Sequence, residues 1–373
     1  MTPTTLPSFQ RAIQQDGNGK LHVANEAAIP SLLPGFVLVK TYAVALNPSD
    51  YKIQKNFPLP GAYVGIDFSG TVVQVADDVD SVKPGTEVFG AAFTFSSTHR
   101  LTNGAFAEYV RVRADLLLRI PTSSVHQSQD DDGGGGLTLF KAATLGTAIP
   151  TCLLSLWSPD ALDLVGKPEE PLLSEKPIPI LVYGGSTSVG TIAIQLLKLS
   201  GYDPIATCSP RSFDLVRSRG ASAVFDYSSS DVALQIKTYT AGRLKYALDC
   251  ISDVASVTTC YAAIQRPGGR YVSLEYIADD LLAQRRAVHP NFVLSAEVYG
   301  ADIVLGEEKY DRPASKEKYQ LAVRHIGMFQ RLLDSGSLKT HPTEELKGGL
   351  EGVVKGLEAL AGGGHPRKLV AVV

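Results

Sequence analysis

Residues 181–190 read LVYGGSTSVG, and this stretch decides the fold of the middle of the chain. Apolar residues lead into a pair of glycines, hydroxyl residues and a third glycine follow, and TIAIQLLKLSG at 191–201 repeats like an amphipathic helix. Glycines between a buried strand and a helix let the backbone approach a pyrophosphate closely, and the first N–H groups of the helix can bind it. The stretch therefore predicts a nucleotide site formed by Gly184, Gly185, Ser186, Thr187, Ser188 and Val189.

Segments with strand and helix patterns alternate beyond this turn. DPIATCS at 203–209, AVFDY at 223–227 and LKYALDC at 244–250 are typical of buried strands, and the segments that follow them have helical patterns. Such alternation predicts an α/β fold with a doubly wound parallel sheet covered by helices on both faces. A helix pattern at 318–336 then precedes RKLVAVV at 367–373, which we expect to return as a strand to the first domain.

The N-terminal part of the chain has a different pattern. FVLVKTYAVAL at 36–46, GTVVQVA at 70–76 and AFAEYVRV at 105–112 have the composition of strands and predict a small, mainly β domain. SSVHQSQDDDGGGG at 123–136 has almost nothing apolar to bury and is predicted to be a disordered surface insertion. We therefore divide the chain into a first domain at 1–157, a nucleotide domain at 158–300 and a return to the first domain at 301–373.

Composition and charge exclude several function classes. The chain has 373 residues, a formal net charge of −3 and no basic cluster, which argues against a nucleic-acid or membrane-surface partner. No run approaches the roughly 20 apolar residues that span a bilayer. The N-terminus lacks a basic and then apolar signal region, so we expect a cytoplasmic protein. The four cysteines are scattered without paired spacing, which predicts free thiols and no zinc site.

The loop after the second strand of the nucleotide domain indicates which dinucleotide binds. An NAD site usually has an acidic residue at this point to bind the ribose hydroxyls. Here residues 208–214 read CSPRSFD, so Arg211 and two serines precede the first acid, Asp214. A guanidinium beside hydroxyls suits a 2′-phosphate, and the loop therefore predicts NADPH. The alternative is that Arg211 only solvates the start of a helix.

The whole arrangement resembles the medium-chain dehydrogenase/reductase superfamily. The resemblance is carried by NPSDYK at 47–52, GIDFSGTVVQV at 65–75, VKPGTEVFG at 82–90, GAFAEYV at 104–110 and VYGGSTSVGTIAIQLLKLSG at 182–201. It implies a GroES-like, β-rich catalytic domain joined to a Rossmann domain. Zinc-dependent members have Gly-His-Glu where this chain has Gly65-Ile66-Asp67, so the chain resembles the zinc-independent branch.

A more specific resemblance is to the trans-acting enoyl reductases of fungal polyketide biosynthesis. It is carried by SGYDPIATCSPRSFDLVRSRGASAVFDY at 200–227, LKYALDCISDV at 244–254 and YAAIQRPGGRYVSL at 261–274. These enzymes supply enoyl reduction to a partner highly reducing polyketide synthase or polyketide–peptide synthase. The resemblance therefore implies NADPH as cofactor, an acyl substrate bound to a carrier domain, and a monomer.

The same resemblance implies a set of site residues. NADPH contacts are implied for Ser49, Asp50, Tyr51, Lys52, Ser186, Thr187, Ser188, Val189, Ser209, Pro210, Arg211, Ser212, Tyr227, Leu274, Glu275, His365 and Pro366. A substrate channel is implied for Thr147, Ala148, Ile149, Pro150, Thr151, Cys152, Leu153, Leu154, Ser295, Ala296, Glu297, Val298 and Tyr299.

Enoyl reduction adds hydride to the β-carbon of an unsaturated thioester and a proton to its α-carbon. A hydrogen-bond donor near the thioester oxygen would stabilise the charge that develops there. Lys52 is the leading candidate for this donor or for the proton source, and Tyr51 and Thr147 are weaker candidates. A cofactor contact or a structural role for Lys52 is an equal alternative. Two other functions stay open: a stand-alone NADPH-dependent quinone or alkenal reductase, and a non-catalytic NADPH-binding protein.

Overall fold

The computed structural model describes residues 6–121, 136–363 and 365–373. The chain folds into two compact units: unit 1 consists of Met1–Thr147 with Ala296–Val373, and unit 2 consists of Ala148–Ser295. The domain boundaries predicted after 157 and after 300 lie slightly further along the chain and remain predictions. The acidic insertion predicted near 123–136 lies, except for Gly136, outside the described residues.

Strands and helices are numbered here in chain order. The strands are β1 (Gln10–Gln15), β2 (Leu21–Ala27), β3 (Phe36–Ala45), β4 (Asp67–Val75), β5 (Glu87–Ala91), β6 (Tyr109–Arg113), β7 (Leu118–Arg119), β8 (Pro179–Tyr183), β9 (Asp203–Cys208), β10 (Ala223–Asp226), β11 (Tyr246–Asp249), β12 (Gly269–Ser273), β13 (Val288–Phe292), β14 (Thr343–Leu346) and β15 (Lys368–Val372). The α-helices are α1 (Pro48–Asn56), α2 (Ser97–Arg100), α3 (Leu139–Ala142), α4 (Ala148–Trp157), α5 (Ser188–Leu199), α6 (Phe213–Ser218), α7 (Val232–Tyr239), α8 (Val254–Ala263), α9 (Asp279–Leu282), α10 (Lys316–Asp334) and α11 (Gly349–Ala361). Short 3₁₀ helices cover Ala114–Leu116, Ala143–Leu145, Pro210–Ser212, Ala283–Arg285 and Ser295–Tyr299.

Unit 2 contains a six-stranded sheet in the order β10-β9-β8-β11-β12-β13. Every neighbouring pair in it is parallel. Counted from the first strand of the unit, this is the order 3-2-1-4-5-6 of dinucleotide-binding sheets. The predicted Rossmann-type α/β fold is confirmed. The strand order reverses between β8 and β11, and ligands of such sheets bind outside the carboxyl ends of the strands at that point.

The core of unit 2 explains why its strands read as continuous apolar runs. β8 is buried along its whole length, as expected for a central strand covered on both faces. Leu181, Ile205 and Ala247 from three adjacent strands are fully buried and pack in one cluster with Val257 and Cys260 of α8.

Unit 1 contains the GroES-like sheet, in the order β14-β15-β3-β4-β5-β7, with β6 also paired to β3. β15 pairs antiparallel with β3, and Val370 lies opposite Ala45. This confirms that RKLVAVV returns as a strand to the first part of the chain. β14 pairs with β15 in parallel.

The core of unit 1 also joins its early and late segments. Val39 and Phe68 from the sheet pack in one cluster with Leu350, Val353 and Leu357, which lie on the buried face of α11. The two halves of unit 1 therefore share a single apolar core, and each depends on the other for its burial.

Two elements differ from what the sequence patterns indicate. α1 begins at Pro48, shortly after β3 ends at Ala45, and Asn47 is its N-cap, although the sequence patterns predicted no helix here. β13 has the sequence VHPNF and forms an edge of the unit 2 sheet, although its proline and polar residues do not fit the pattern of a strand.

One apolar stretch, Leu139–Trp157, has the length and hydropathy of a membrane span among the residues described. Of its most apolar window, 72% is buried inside the protein, as in the core helix of a folded domain. The expected cytoplasmic location remains a prediction.

Candidate active site

Five loops of unit 2 come together at the carboxyl edge of its parallel sheet. In register, Asp249 lies opposite both Tyr183 and Ser273, and Asp226 lies opposite Cys208. The residues that follow these strand ends therefore start at one edge, and they are Gly184, Ser209, Tyr227, Cys250 and Leu274. Four of the five loops were predicted as cofactor loops, and the structure brings them to the same edge.

The glycine corner between β8 and α5 is tight. Gly184 has a φ of +79°, which residues with a side chain rarely adopt. A Cβ on Gly190 would lie 2.4 Å from the carbonyl oxygen of Gly184, so the helix can approach the turn only because residue 190 is glycine. Thr187 is the N-cap of α5, and its side chain accepts the N–H of Gly190 at 3.0 Å.

The corner has the features that a pyrophosphate requires. Thr187 caps only one of the first N–H groups of α5, and the N–H groups of Ser188 and Val189 have no acceptor within the helix. They lie at the positive end of a twelve-residue helix, beside a backbone turn without bulky side chains. The residues present therefore fit a dinucleotide, and the fold implies a nicotinamide cofactor.

The loop after β9 lies on one side of this corner. Arg211 is exposed, and the hydroxyl oxygens of Ser209 and Ser212 lie 3.5 Å apart. Tyr227 is 51% exposed and follows β10, the neighbouring strand. The nearest acid, Asp214, lies on α6, where its carboxylate is exposed and 3.8 Å from Arg217. The loops after β9 and β10 thus place a cation, two hydroxyls and an aromatic ring at the edge of the sheet.

The loop after β11 lies on the other side and is organised by Asp249, which is fully buried. One carboxylate oxygen accepts the N–H groups of Ile251 and Ser252, both at 2.9 Å. The other oxygen accepts the hydroxyl of Tyr271 at 2.7 Å and that of Ser256 at 2.5 Å. Burial raises the pKa of Asp249, and these donors partly oppose that shift.

Asp249 and Ser252 belong to the site geometry, although no motif in the sequence drew attention to them. The only signal was an acid at the end of the apolar run LKYALDC, where a buried strand meets a loop. Two serines and a tyrosine become its partners only through folding, because Tyr271 lies 22 residues further along the chain.

In unit 1, the segment predicted to bind NADPH and to carry catalysis forms the first turns of α1. Ser49, Tyr51 and Lys52 are half-buried, whereas Asp50 is 1% exposed. The Asp50 carboxylate accepts the backbone N–H of Asn47 at 2.7 Å and so caps its own helix. The cofactor and catalytic roles of these residues remain predictions, and for Asp50 the structure shows a structural role.

A buried charged cluster lies beside α1 and joins both parts of unit 1. Asp67 is fully buried, and its Oδ2 lies 3.5 Å from the ammonium of Lys368, which also donates to the side-chain oxygen of Asn47. Burial raises the pKa of Asp67, against the effect of Lys368. Burial, together with the nearby charge of Asp67, raises the pKa of Asp50 to about 8. Asp50 is therefore largely neutral near pH 7, and of the two carboxyls Asp67 is the one that lies within ion-pair distance of Lys368.

Thr147 touches this cluster, which restricts what its hydroxyl can do. The hydroxyl donates to Oδ1 of Asp67 at 2.5 Å. A hydroxyl carries one proton, so toward any further group Thr147 offers its oxygen as an acceptor. Of the predicted catalytic residues, Thr147 is therefore poorly suited to donate to a thioester oxygen while Asp67 is ionised.

The segments predicted to line a substrate channel are mostly buried. In α4, Ala148, Ile149, Thr151, Cys152, Leu153 and Leu154 are each at most 5% exposed, and Pro150 is partly exposed. In the second segment, Ala296 and Val298 are buried, and Ser295 is partly exposed. The Glu297 carboxylate lies 2.7 Å from the ammonium of Lys318, and both groups are largely buried. The channel remains a prediction.

Tyr299 lies in an aromatic cluster of unit 1. Its hydroxyl donates to the carbonyl of Ala91, and its ring lies 5.3 Å from that of Phe93. Phe93 in turn packs edge-on against His99 at 4.8 Å. This cluster gives the predicted channel segment an apolar end.

The remaining predicted cofactor residues are divided between the two units. Glu275 and Leu274 follow β12 in unit 2, whereas His365 and Pro366 precede β15 in unit 1 and are exposed. The carbonyl of Pro366 lies 3.0 Å from a ring nitrogen of His341. Within the described ranges, no three histidine, cysteine, aspartate or glutamate side chains are placed to hold a metal ion.

Comparisons with known proteins agree with this geometry. Residues 33–122 match the alcohol dehydrogenase GroES-like domain, and residues 188–309 match the zinc-binding dehydrogenase family model. The quinone oxidoreductase of Coxiella burnetii has the same fold, with a TM-score of 0.69 and 23% identity over 98% of this chain and 99% of that chain.

Two curated relatives are much more similar in sequence. The chain is 86% identical over 373 residues, which is all of both chains, to trans-enoyl reductase TwmE of Talaromyces wortmannii. It is 40% identical to trans-enoyl reductase poxP of Penicillium oxalicum over 99% of this chain and 94% of that one. The chain therefore belongs to the trans-enoyl reductases of the medium-chain dehydrogenase/reductase superfamily.

Proposed function

We propose that this chain reduces the α,β-double bond of a polyketide thioester that a partner synthase presents on its carrier domain, with NADPH as the reductant. The observation that carries the proposal is 86% identity over the full length to a trans-enoyl reductase. The partner is a highly reducing polyketide synthase or polyketide–peptide synthase, and the chain acts on it as a cytoplasmic monomer in secondary-metabolite biosynthesis.

NADPH, when bound, supplies the hydride, and the chain supplies its binding and orientation. The N–H groups at the start of α5 hold the pyrophosphate. Arg211, Ser209 and Ser212 hold the 2′-phosphate, because a guanidinium and hydroxyls match its charge and oxygens. The absence of an acid before Asp214 in this loop removes the repulsion that would otherwise exclude a phosphate.

In unit 1, Lys52 is the group best suited to stabilise charge on the thioester oxygen. Lys52 is a half-buried residue of α1, and the three N–H donors of its ammonium let it bind an oxygen and a second acceptor together. Thr147 donates to Asp67 and offers only an acceptor elsewhere. Of the two residues, Lys52 is therefore the one that can donate, and Thr147 offers an acceptor.

Replacing Lys52 tests this assignment. We expect Lys52→Ala to lower kcat by roughly 10²–10³-fold, the usual cost of one donor to a developing oxyanion, with a smaller loss in NADPH affinity. Lys55→Ala is the matched control, because Lys55 is an exposed lysine on the same helix. Unchanged turnover in Lys52→Ala would contradict the donor role.

Replacing Arg211 tests the choice of NADPH. We expect Arg211→Ala to weaken NADPH binding by about 1.5–3 kcal/mol, the scale of a hydrogen bond to a charged group, and to leave NADH binding nearly unchanged. Arg217→Ala, an exposed arginine on the next helix, is the control. Equal affinity of the wild type for NADH and NADPH would overturn the proposed cofactor.

The substrate class is tested by one unsaturated acyl group on three handles. We would attach it to pantetheine, to coenzyme A and to the carrier domain of the partner synthase, and follow NADPH oxidation. We expect reduction of the thioesters, fastest on the carrier domain. Much faster reduction of quinones or free enones would replace the proposal with a stand-alone reductase. NADPH binding without oxidation of any of these would indicate a non-catalytic binding protein.

A further inference from the structure

Ser252 has an unusual backbone for a residue with a side chain. Its φ is +63°, in the left-handed region, and it is 8% exposed in the loop after β11. Residues other than glycine, asparagine and aspartate seldom adopt this conformation, and they keep it only where surrounding contacts enforce it. For Ser252 those contacts come from Asp249, which accepts its N–H at 2.9 Å.

The Ser252 hydroxyl connects two loops. It donates to the carbonyl of Asp249 at 3.0 Å and accepts the backbone N–H of Leu274 at 2.9 Å. Both hydrogen-bonding functions of the hydroxyl are thereby used, with its proton in one direction and a lone pair in the other. The side chain of Ser252 therefore ties the loop after β12 to the loop after β11.

The same loop also packs against the glycine corner. A Cβ on Gly184 would lie 2.9 Å from a side-chain carbon of Ile251, the residue next to Ser252. Asp249 accepts the N–H of Ile251 as well. One buried carboxylate therefore fixes a loop that contacts the corner on one side and holds Leu274 on the other.

The position of this link in the sheet assigns it to one half of a dinucleotide. The loop of Arg211 follows β9, on one side of β8, and the link joins the loops after β11 and β12, on the other side. A dinucleotide bound across the switch point has one half on each side. With the 2′-phosphate of the adenosine half at Arg211, the nicotinamide half would lie at Ser252 and Leu274.

We infer that Ser252, held by Asp249, is a positioning residue that fixes the backbone at Leu274 for the nicotinamide half of the cofactor. This inference rests on the proposed function. It divides the site into an adenosine side, which Arg211 binds, and a nicotinamide side, which the Asp249–Ser252–Leu274 link positions. It predicts that a substitution on the nicotinamide side leaves binding of the adenosine half unchanged.

The test compares whole and partial cofactors on Ser252→Ala. NADPH probes both sides, and 2′,5′-ADP carries only the adenosine half. We expect Ser252→Ala to bind NADPH roughly 3- to 10-fold more weakly, the scale of one hydrogen bond, and 2′,5′-ADP unchanged. Arg211→Ala should weaken both. Thr258→Ala is the control, because its exposed hydroxyl bonds only within α8.

A second variant separates positioning from stability. Ser252→Gly also removes the hydroxyl but suits the positive φ, so we expect it to melt higher than Ser252→Ala while showing the same weakened NADPH binding. The kcat of Ser252→Gly should fall along with its NADPH affinity, because the nicotinamide ring would be held less firmly.

The outcomes separate the two proposals. Wild-type affinity for NADPH in both Ser252 variants would overturn the inference and leave the proposed function intact. An equal loss for NADPH and 2′,5′-ADP would overturn it too, because it would show a general loss of structure. A wild-type protein that binds neither compound would instead contradict the proposed function.

Discussion

Both units bury carboxylates completely, but they stabilise them in different ways. In unit 2, Asp249 is surrounded by two backbone N–H groups and two hydroxyls, all neutral donors. In unit 1, Asp67 accepts one hydroxyl, that of Thr147, and has a cation, Lys368, and a second carboxyl, Asp50, close by. Asp50 Oδ1 makes no hydrogen bond within the part of the chain that the structure describes.

The difference teaches what each region can tolerate. Neutral donors distribute the cost of a buried charge over several bonds, and each bond fixes one piece of backbone. In an ion pair most of this compensation comes from one partner, and removing that partner leaves an unpaired charge in an apolar core. The carboxylate of unit 2 should therefore respond to substitution in small steps, and the cluster of unit 1 in one large step.

The largest effect is expected for Lys368→Met, which removes the charge and keeps an unbranched side chain that is one heavy atom shorter. It leaves Asp67 buried without its cation, and we expect a loss of about 3–5 kcal/mol in the free energy of unfolding. Denaturant unfolding measures it.

The double variant Lys368→Met with Asp67→Asn is its matched partner. We expect it to be more stable than Lys368→Met alone, because no unpaired charge remains. If the double variant were less stable than Lys368→Met, the ion-pair explanation would not hold.

The next effect concerns pH and Asp50. Its folded pKa of about 8 lies above the ordinary value of 3.8. Between these values the unfolded chain loses this proton while the folded protein keeps it, so stability falls as pH rises through that window. Below it the carboxyl is protonated in both states, and its contribution no longer depends on pH.

Asp50→Asn removes this titration. As the pH rises from 4 to 8, we expect the free energy of unfolding of the variant to rise by about a few kcal/mol relative to that of the wild type. Each unit of pKa shift corresponds to more than 1 kcal/mol. Thermal unfolding at several pH values measures the gap. Parallel melting curves for the two proteins across this range would show that Asp50 does not titrate as proposed.

The smallest effect is expected for Tyr271→Phe, which removes one of the four donors to Asp249. Three donors remain, so the free energy of unfolding should fall only by about 1.5–3 kcal/mol, the range for one hydrogen bond to a charged group. Thermal or denaturant unfolding can rank it against Lys368→Met. A loss as large as that of Lys368→Met would remove the contrast between the two regions.

Much of the fold was predictable because periodicity carries it. The alternation after residue 179 predicted the strands β8 to β11, and the glycine-rich stretch predicted the tight turn from β8 into α5. α1 was missed, although Pro48 at its first position and an acid at Asp50 are known start signals. β13 was missed because an edge strand tolerates a proline that a central strand would not.

The site was predictable only where its residues are neighbours in sequence. The glycine corner and the loop of Arg211 are each continuous, so their chemistry can be read directly. Asn47 and Lys368 are 321 residues apart, and the link from Ser252 to Leu274 depends on one buried hydroxyl. Such pairs arise from strand register, which no local pattern specifies.

The placement of β15 beside β3 also has a consequence for synthesis. Unit 2 is continuous in sequence and can fold as soon as residue 295 has left the ribosome. The sheet of unit 1 keeps an open edge at β3 until β15 is made, because Val370 has to pair with Ala45. During translation, unit 2 can therefore fold before the sheet of unit 1 is complete. Until β15 has been made, the open edge of β3 is exposed to unwanted strand pairing.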